Sequence, residues 1–224
     1  MKQDKKELDK LIFPDFEKNI INISSSFSKY LGVKTDKSTL KILDDELVKD
    51  YEDVIFIIFD GLGKNPIEIN LEEGSFIRSH VKEYLTTTYP STTTNATTTF
   101  MSNLYPMEHG WFAWSLYYEE IDKCLDIFTG RDSFTQKVTH KGYTNTKYKF
   151  TPYFENNPRE DVSVYSIFPF FVSEGRNNKT VNASTVDELF IELEKIVKYK
   201  GKKFVYCYCD DPDKTMQTIK KFSL

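Results

Sequence analysis

The chain has 224 residues, of which 39% are hydrophobic, 29% charged and 15% aromatic, with nine Gly and eight Pro, and this excludes a disordered, collagenous or coiled-coil protein. Thirty basic against 34 acidic residues leave a net charge of -4, which argues against a binder of nucleic-acid backbones. The length suits one α/β domain, or one domain with an insertion, and is enough to bury a sizeable core.

The longest apolar run, Val54 to Phe59, is far shorter than the roughly 20 residues of a membrane-spanning helix, so no membrane partner is expected. The opening MKQDKKELDK and LIF has neither the apolar stretch nor the small-residue cleavage site of a signal peptide. Three Cys rule out a full disulfide framework within one chain. A cytoplasmic protein with reduced thiols is the expectation.

In chain order, residues 5 to 50 read as helical. Leu8, Leu11, Ile12 and Phe16 have helix spacing, and Pro14 divides the run into two helices. Ile20, Ile21, Ile23, Phe27, Tyr30 and Leu31 continue the pattern, with Gly32 placed as the C-cap. Val54 to Phe59 is a strand buried on both faces, ended by the turn Asp60-Gly-Leu-Gly. Residues 66 to 83 become helical toward Phe76–Val81, and the Thr-rich stretch Tyr84 to Thr88 favours a short strand. Thr94 to Asn103 reads as a helix with Phe100, Met101 and Leu104 facing inwards. Residues 111 to 155, aromatic and mixed in period, read as a β-rich insertion. Asp161 to Phe171 is a second buried strand. Thr185 to Tyr199 is an amphipathic helix with Val186, Leu189, Phe190, Leu193, Ile196 and Val197 on one side. Ser184 or Thr185 caps it, Glu188 is placed for a capping box, and Gly201 stops it. Lys203 to Asp211 is a third strand, ending in acids.

Strand, helix, strand in this order implies a mainly parallel sheet with flanking crossover helices. Sites in such sheets form beyond the carboxyl ends of the strands. Two strands end there in carboxylates, Asp60 after the first and Asp210, Asp211 and Asp213 after the third. Asp as a strand or turn cap explains the same positions.

Val54–Gly63 (VIFIIFDGLG) followed by Thr88–Gly110 (TYPSTTTNATTTFMSNLYPMEHG) resembles the type I phosphodiesterase/nucleotide pyrophosphatase family of the alkaline phosphatase superfamily. The shared pattern is an apolar strand ending in Asp-Gly, then Pro90-Ser-Thr-Thr93, a helix, and Leu104-Tyr-Pro106-Met-Glu-His109-Gly110. Trp111-Phe-Ala-Trp114 resembles the extension of a bacterial branch, and Tyr208-Cys-Asp-Asp-Pro-Asp213 resembles the family's strand leading into Pro-Asp. These stretches cover under half of the chain.

The resemblance implies an alkaline phosphatase-like fold and hydrolysis of a small phosphodiester or nucleotide pyrophosphate. It implies Asp60 as a metal ligand, Thr93 as nucleophile and metal ligand, and Asp213 as a ligand of the second of two divalent metals, zinc being the expected identity. The chemistry is consistent. A Thr hydroxyl is a poor nucleophile at neutral pH, and a divalent cation together with a helix N-terminus lowers its pKa. Two metals roughly 3.5–4 Å apart clamp the attacking and leaving oxygens of an in-line transfer.

Gln217 stands where the family has a His four residues after the Pro-Asp aspartate, and the family's later Asp-His pair and final His have no counterpart before Leu224. His80, His109 and His140 all lie upstream. The expectation is therefore an incomplete domain spanning 1–224, truncated at the C-terminus, with an insertion around 111–155, a poorly filled metal site and little activity. An inactive relative that binds without catalysis, or a sister activity such as phosphomonoesterase, sulfatase or phosphomutase, stands beside that reading. Thr92 is the reserve nucleophile, and a structural turn and helix cap also accounts for the Thr run. His109 fits a turn-fixing residue better than a ligand. Cys207 and Cys209 share a strand face and fit buried thiols better than a metal pair. Trp111–Tyr118 either lines the core or stacks a base.

Overall fold

A computed structural model describes residues 12–169 and 178–222. In chain order the elements are α1 (Ile20–Tyr30), α2 (Lys41–Leu47), β1 (Asp53–Phe59), α3 (Lys64–Asn70), α4 (Phe76–Ser79), α5 (Thr93–Ser102), α6 (Pro106–His109), β2 (Ser115–Tyr118), β3 (Lys123–Asp126), β4 (Arg131–Asp132), α7 (Tyr143–Lys147), β5 (Val162–Phe168), β6 (Asn178–Asn182), α8 (Val186–Ile196), β7 (Lys202–Cys209) and α9 (Asp213–Phe222). The chain gathers into two compact units. Among the described residues the first holds 12–29, 34–44 and 85–152, and the second holds 30–33, 45–84, 153–169 and 178–222. Among those residues no helix is long and apolar enough to cross a membrane.

The second unit is α/β. Its four strands lie in the order β1-β7-β5-β6 and every pairing is parallel, as the strand–helix–strand order requires. The three strands expected from apolar runs are present at Asp53–Phe59, Val162–Phe168 and Lys202–Cys209, but the first is not buried on both faces as expected: it lies at an edge of the sheet order, Val54 is buried, Ile55 is exposed and residues 56–59 are half-buried. The end of the second expected strand, residues 170 and 171, lies outside the described residues. β6 was not legible. Its sequence NKTVN is polar and carries no apolar run to announce a strand; it lies at one edge of the sheet order, beside β5.

Alternation along β7 divides its side chains between two faces. Val205, Cys207 and Cys209 join Tyr165, Ile167, Leu189, Leu193 and Ile196 in the core beneath α8. The opposite face is aromatic: the rings of Phe56, Phe154 and Phe168 lie 5.6, 5.0 and 5.7 Å from that of Tyr206. α8 buries Leu189, Leu193 and Ile196, a narrower stripe than expected, because Phe190 and Val197 turn toward solvent. Its N-terminus is closed by Thr185 Oγ1, which accepts from Glu188 N–H (3.2 Å), and by the Glu188 carboxylate, which accepts from Ser184 N–H (2.7 Å). Buried Lys203 donates to the Tyr199 and Gly201 carbonyls, both at 2.7 Å, and pairs with Asp53 at 3.0 Å. Those bonds satisfy carbonyls of the turn between α8 and β7.

The first unit has a helical part and a small antiparallel sheet, β2-β3-β4. That sheet and the short α7 are the β-rich segment expected over 111–155. Residues 12–18 hold no helix, and the earlier part of the expected N-terminal helix lies outside the described residues. α1 starts on a reciprocal cap, with Asn19 Oδ1 accepting from Ile21 N–H and Asn22 Oδ1 accepting from Asn19 N–H. In place of the strand expected over Tyr84–Thr88 there is one bridge, Asn19 with Thr86. Thr86 uses its hydroxyl to fasten the loop, accepting from Asp15 N–H (2.9 Å) and Asn19 Nδ2 (3.0 Å).

α5 is where expected, but it is turned over. It buries Thr94, Asn95, Thr97, Thr98, Thr99 and Ser102, while Phe100, Met101 and Leu104 are only half-buried. The small hydroxyl side chains bend back onto their own helix, Thr97 onto the Thr93 carbonyl and Ser102 onto the Thr98 carbonyl, both at 2.7 Å. α1 meets this helix with side chains of the same kind. Ser24 donates to the Phe100 carbonyl (3.0 Å) and Ser25 to Asn103 Oδ1 (2.9 Å).

Candidate functional site

The parallel sheet of the second unit ends, at its carboxyl edge, in the carboxylates that the sequence singled out. β1 and β7 run in register up to Phe59 opposite Cys209. Asp60 continues the ladder, its N–H donating to the Cys209 carbonyl at 2.9 Å. The chain then turns through Asp210–Pro212, and Asp213 N–H donates to the Asp60 carbonyl at 3.0 Å. Backbone bonds therefore hold Asp60 and Asp213 next to each other, with Asp213 as the first residue of α9.

Gly61 makes that approach possible. Its φ is +77°, and a Cβ there would lie 3.0 Å from Asp213 Cβ and 3.1 Å from Asp213 Cα. Only a residue without a side chain fits. Asp213 feels the crowding: its carboxyl is held above the usual range by burial first and by the Asp60 charge second, with a hydrogen bond from Gln217 opposing both. That bond, Gln217 Nε2 to Asp213 Oδ2, is 2.5 Å long. Asp60 in turn accepts at Oδ2 from the Tyr208 hydroxyl (2.8 Å). The other two acids after β7 serve α9. Asp211 Oδ1 accepts from Thr215 N–H and Oγ1, and Asp210 pairs with Lys214 at 3.1 Å.

Thr93 belongs to the first unit. It is the first residue of α5, as expected, and Thr92 is the cap, its Oγ1 accepting from Asn95 N–H at 3.4 Å. Thr92, the reserve nucleophile, is thus occupied in closing the helix. Much of the remaining Thr run is structural, as one reading of the sequence held. His109 is buried with both ring nitrogens bonded: Nδ1 accepts from Trp111 N–H (3.0 Å), which leaves the proton on Nε2 to donate to Thr99 Oγ1 (3.1 Å). Burial pushes the imidazole pKa down to about 4, against a smaller opposite pull from Glu108.

The thiols and the aromatic stretch also resolve. Cys207 and Cys209 face the α8 core, and burial pushes the Cys207 thiol up to about 12, so neither is prepared as a ligand. Trp111 is core: its indole N–H donates to the Tyr148 carbonyl at 3.0 Å and its ring meets Phe128 and Phe150. Trp114, against Phe128, is 51% exposed.

The donor chemistry tests the cation that the resemblance calls for. Two hard carboxylates fixed side by side suit a divalent ion, and a cation would relieve the charge repulsion felt by Asp213. They would supply only part of a coordination shell. Among the described residues no group of three or more His, Cys, Asp or Glu side chains is gathered to hold a metal. The Tyr208 hydroxyl and the Gly61 clearance were missed by sequence reasoning. Strand alternation places Tyr206 and Tyr208 on one face, but nothing in the sequence says which of them reaches a carboxylate. Comparison with protein-family models, with curated proteins and with solved structures finds no match for this chain.

Proposed function

We propose that the chain is a metal-dependent phosphodiester or pyrophosphate hydrolase of the alkaline phosphatase-like kind, with Asp60 and Asp213 holding divalent metal and Thr93 as nucleophile. One observation carries the reading: Asp213 N–H bonded to the Asp60 carbonyl at the carboxyl edge of a parallel sheet, the edge at which α/β sites form. The position of Thr93 at the start of α5 supports it, since a helix N-terminus favours a developing alkoxide. A bound divalent cation supplies the charge that acidifies a hydroxyl and offsets the phosphoryl oxygens. The protein's own part is to present the two carboxylates and the hydroxyl. Attack of Thr93 Oγ1 on phosphorus expels the alcohol or nucleotide, and water then cleaves the phosphothreonine. Gln217, bonded to Asp213, favours a second reading, a relative that binds metal or phosphate without turnover.

The test is a titration of the chain with manganese or zinc, run beside hydrolysis of bis(4-nitrophenyl) phosphate. Asp60→Asn and Asp213→Asn are each expected to weaken metal binding about 10-fold or more. Thr93→Ala, which removes the nucleophile and a metal ligand, is expected to abolish the slow turnover. Absence of metal binding by the unaltered chain, or turnover that survives Thr93→Ala, would overturn the reading.

A further inference from the structure

One face of β7 carries Phe204, Tyr206 and Tyr208 in succession. Among the described residues the Tyr206 hydroxyl, buried among rings, has no hydrogen-bond partner, and neither has that of Tyr153. Tyr208, one step closer to the carboxyl edge, is 5% exposed and spends its hydroxyl on Asp60 Oδ2 at 2.8 Å. Asp60 is thereby held at three atoms: its N–H by the Cys209 carbonyl, its carbonyl by Asp213 N–H, and its carboxylate by the phenol.

We propose that Tyr208 is a positioning residue of the cation site, fixing the side chain of Asp60 in the orientation that metal binding needs. The inference rests on the reading that Asp60 and Asp213 hold a divalent cation. A phenol is suited to the task. It donates one directed bond, it is too enclosed to swing away, and it adds no positive charge that would cancel the attraction of the carboxylate pair for a metal, as a Lys or Arg would. The β7 backbone fixes both ends of the arrangement, because the same strand supplies the phenol and the carbonyl that anchors Asp60 N–H.

The experiment pairs Tyr208→Phe with Tyr206→Phe. The two variants lose the same atom, from the same strand face, and only Tyr208 touches Asp60. Manganese or zinc alone is titrated calorimetrically into the unaltered chain and both variants, with circular dichroism and a urea midpoint recorded for each. Tyr208→Phe is expected to bind metal about 10–100-fold more weakly, with secondary structure retained, while Tyr206→Phe binds as the unaltered chain does. Equal affinity in all three, or equal weakening in both variants, would overturn the positioning role and leave the metal reading standing. Failure of the unaltered chain to bind metal would overturn the metal reading and this inference with it.

Discussion

Replacing Gly61 by Ala adds one methyl group at the point where two chain segments are closest. The left-handed backbone there, φ +77°, costs an L-residue about 1–2 kcal/mol. The new Cβ would also stand 2.9 Å from Met216 Cε, 3.0 Å from Asp213 Cβ and 3.1 Å from Asp213 Cα. The methionine tip can move aside. The Asp213 backbone can do so only by drawing its N–H away from the Asp60 carbonyl, to which it is bonded at 3.0 Å. Overpacking of this kind costs about 1–3 kcal/mol, so the expected loss of stability is about 2–5 kcal/mol. That is a large share of the roughly 5–15 kcal/mol that keeps a domain folded. With a urea slope of about 1–3 kcal/mol per molar, the unfolding midpoint should fall by about 1 M or more. Gly63→Ala is the matched control, because nothing lies within 4 Å of its added Cβ, and it should stay within about 0.5 kcal/mol. A Gly61→Ala chain within that same margin would refute the idea that this glycine is what lets the two aspartates approach.

Two further predictions concern pH. His109 titrates at about 4 when folded and at 6.5 when free, so the unfolded chain takes up the proton first as the medium is acidified. Stability should fall by roughly 3 kcal/mol between pH 6.5 and 4 from this residue alone, and His109→Gln should flatten that window in urea unfolding followed at several pH values; identical slopes for both chains would count against it. For Asp213 the sign is reversed. Its folded carboxyl titrates above the usual 3.8, so stability is lost as pH rises through the folded pKa. Asp213→Asn should therefore raise the unfolding midpoint at pH 7 relative to its effect at pH 3, and the same change at both values would refute the raised pKa that burial and the Asp60 charge give Asp213.

The second unit was the legible one, for a physical reason. Six consecutive apolar residues from Val54 to Phe59 and the run ending at Cys209 announce strands, and parallel pairing follows from the helix between strands; β7 is buried almost throughout, whereas β1 is buried only at Val54. The acids that end those strands are on display in the sequence, and the structure sets two of them together. The first unit resisted because its helix packing is polar. A rule that sends Phe100 and Met101 inward and Thr outward gives the right helix and the wrong face, since α1 meets α5 and its C-cap through short hydroxyls bonded to the Phe100 carbonyl and the Asn103 side-chain oxygen. β6 was hidden for the opposite reason, having too little apolar content to announce a strand. The functional reading divides in the same way. Asp60, Thr93 and Asp213 came from motif resemblance, whereas the roles of Gly61 and Tyr208 depend on where backbones and a phenol come to rest.

The location of β1 has a consequence for handling the protein. Among the described residues it is the outermost strand of its sheet on one side, pairing with β7, and its Ile55 is 39% exposed. A continuous apolar strand at a sheet edge is a template on which other chains can add themselves. The run VIFIIF contains neither Pro nor Lys to discourage this; its guards are Asp53 at one end and Asp60 at the other, whose charges would be stacked at close range in a register-matched assembly. A charge at Asp60 therefore opposes such stacking. Neutralising it to probe metal binding removes half of that protection, so loss of signal in an Asp60→Asn preparation has to be separated from loss of soluble protein before it is credited to the site.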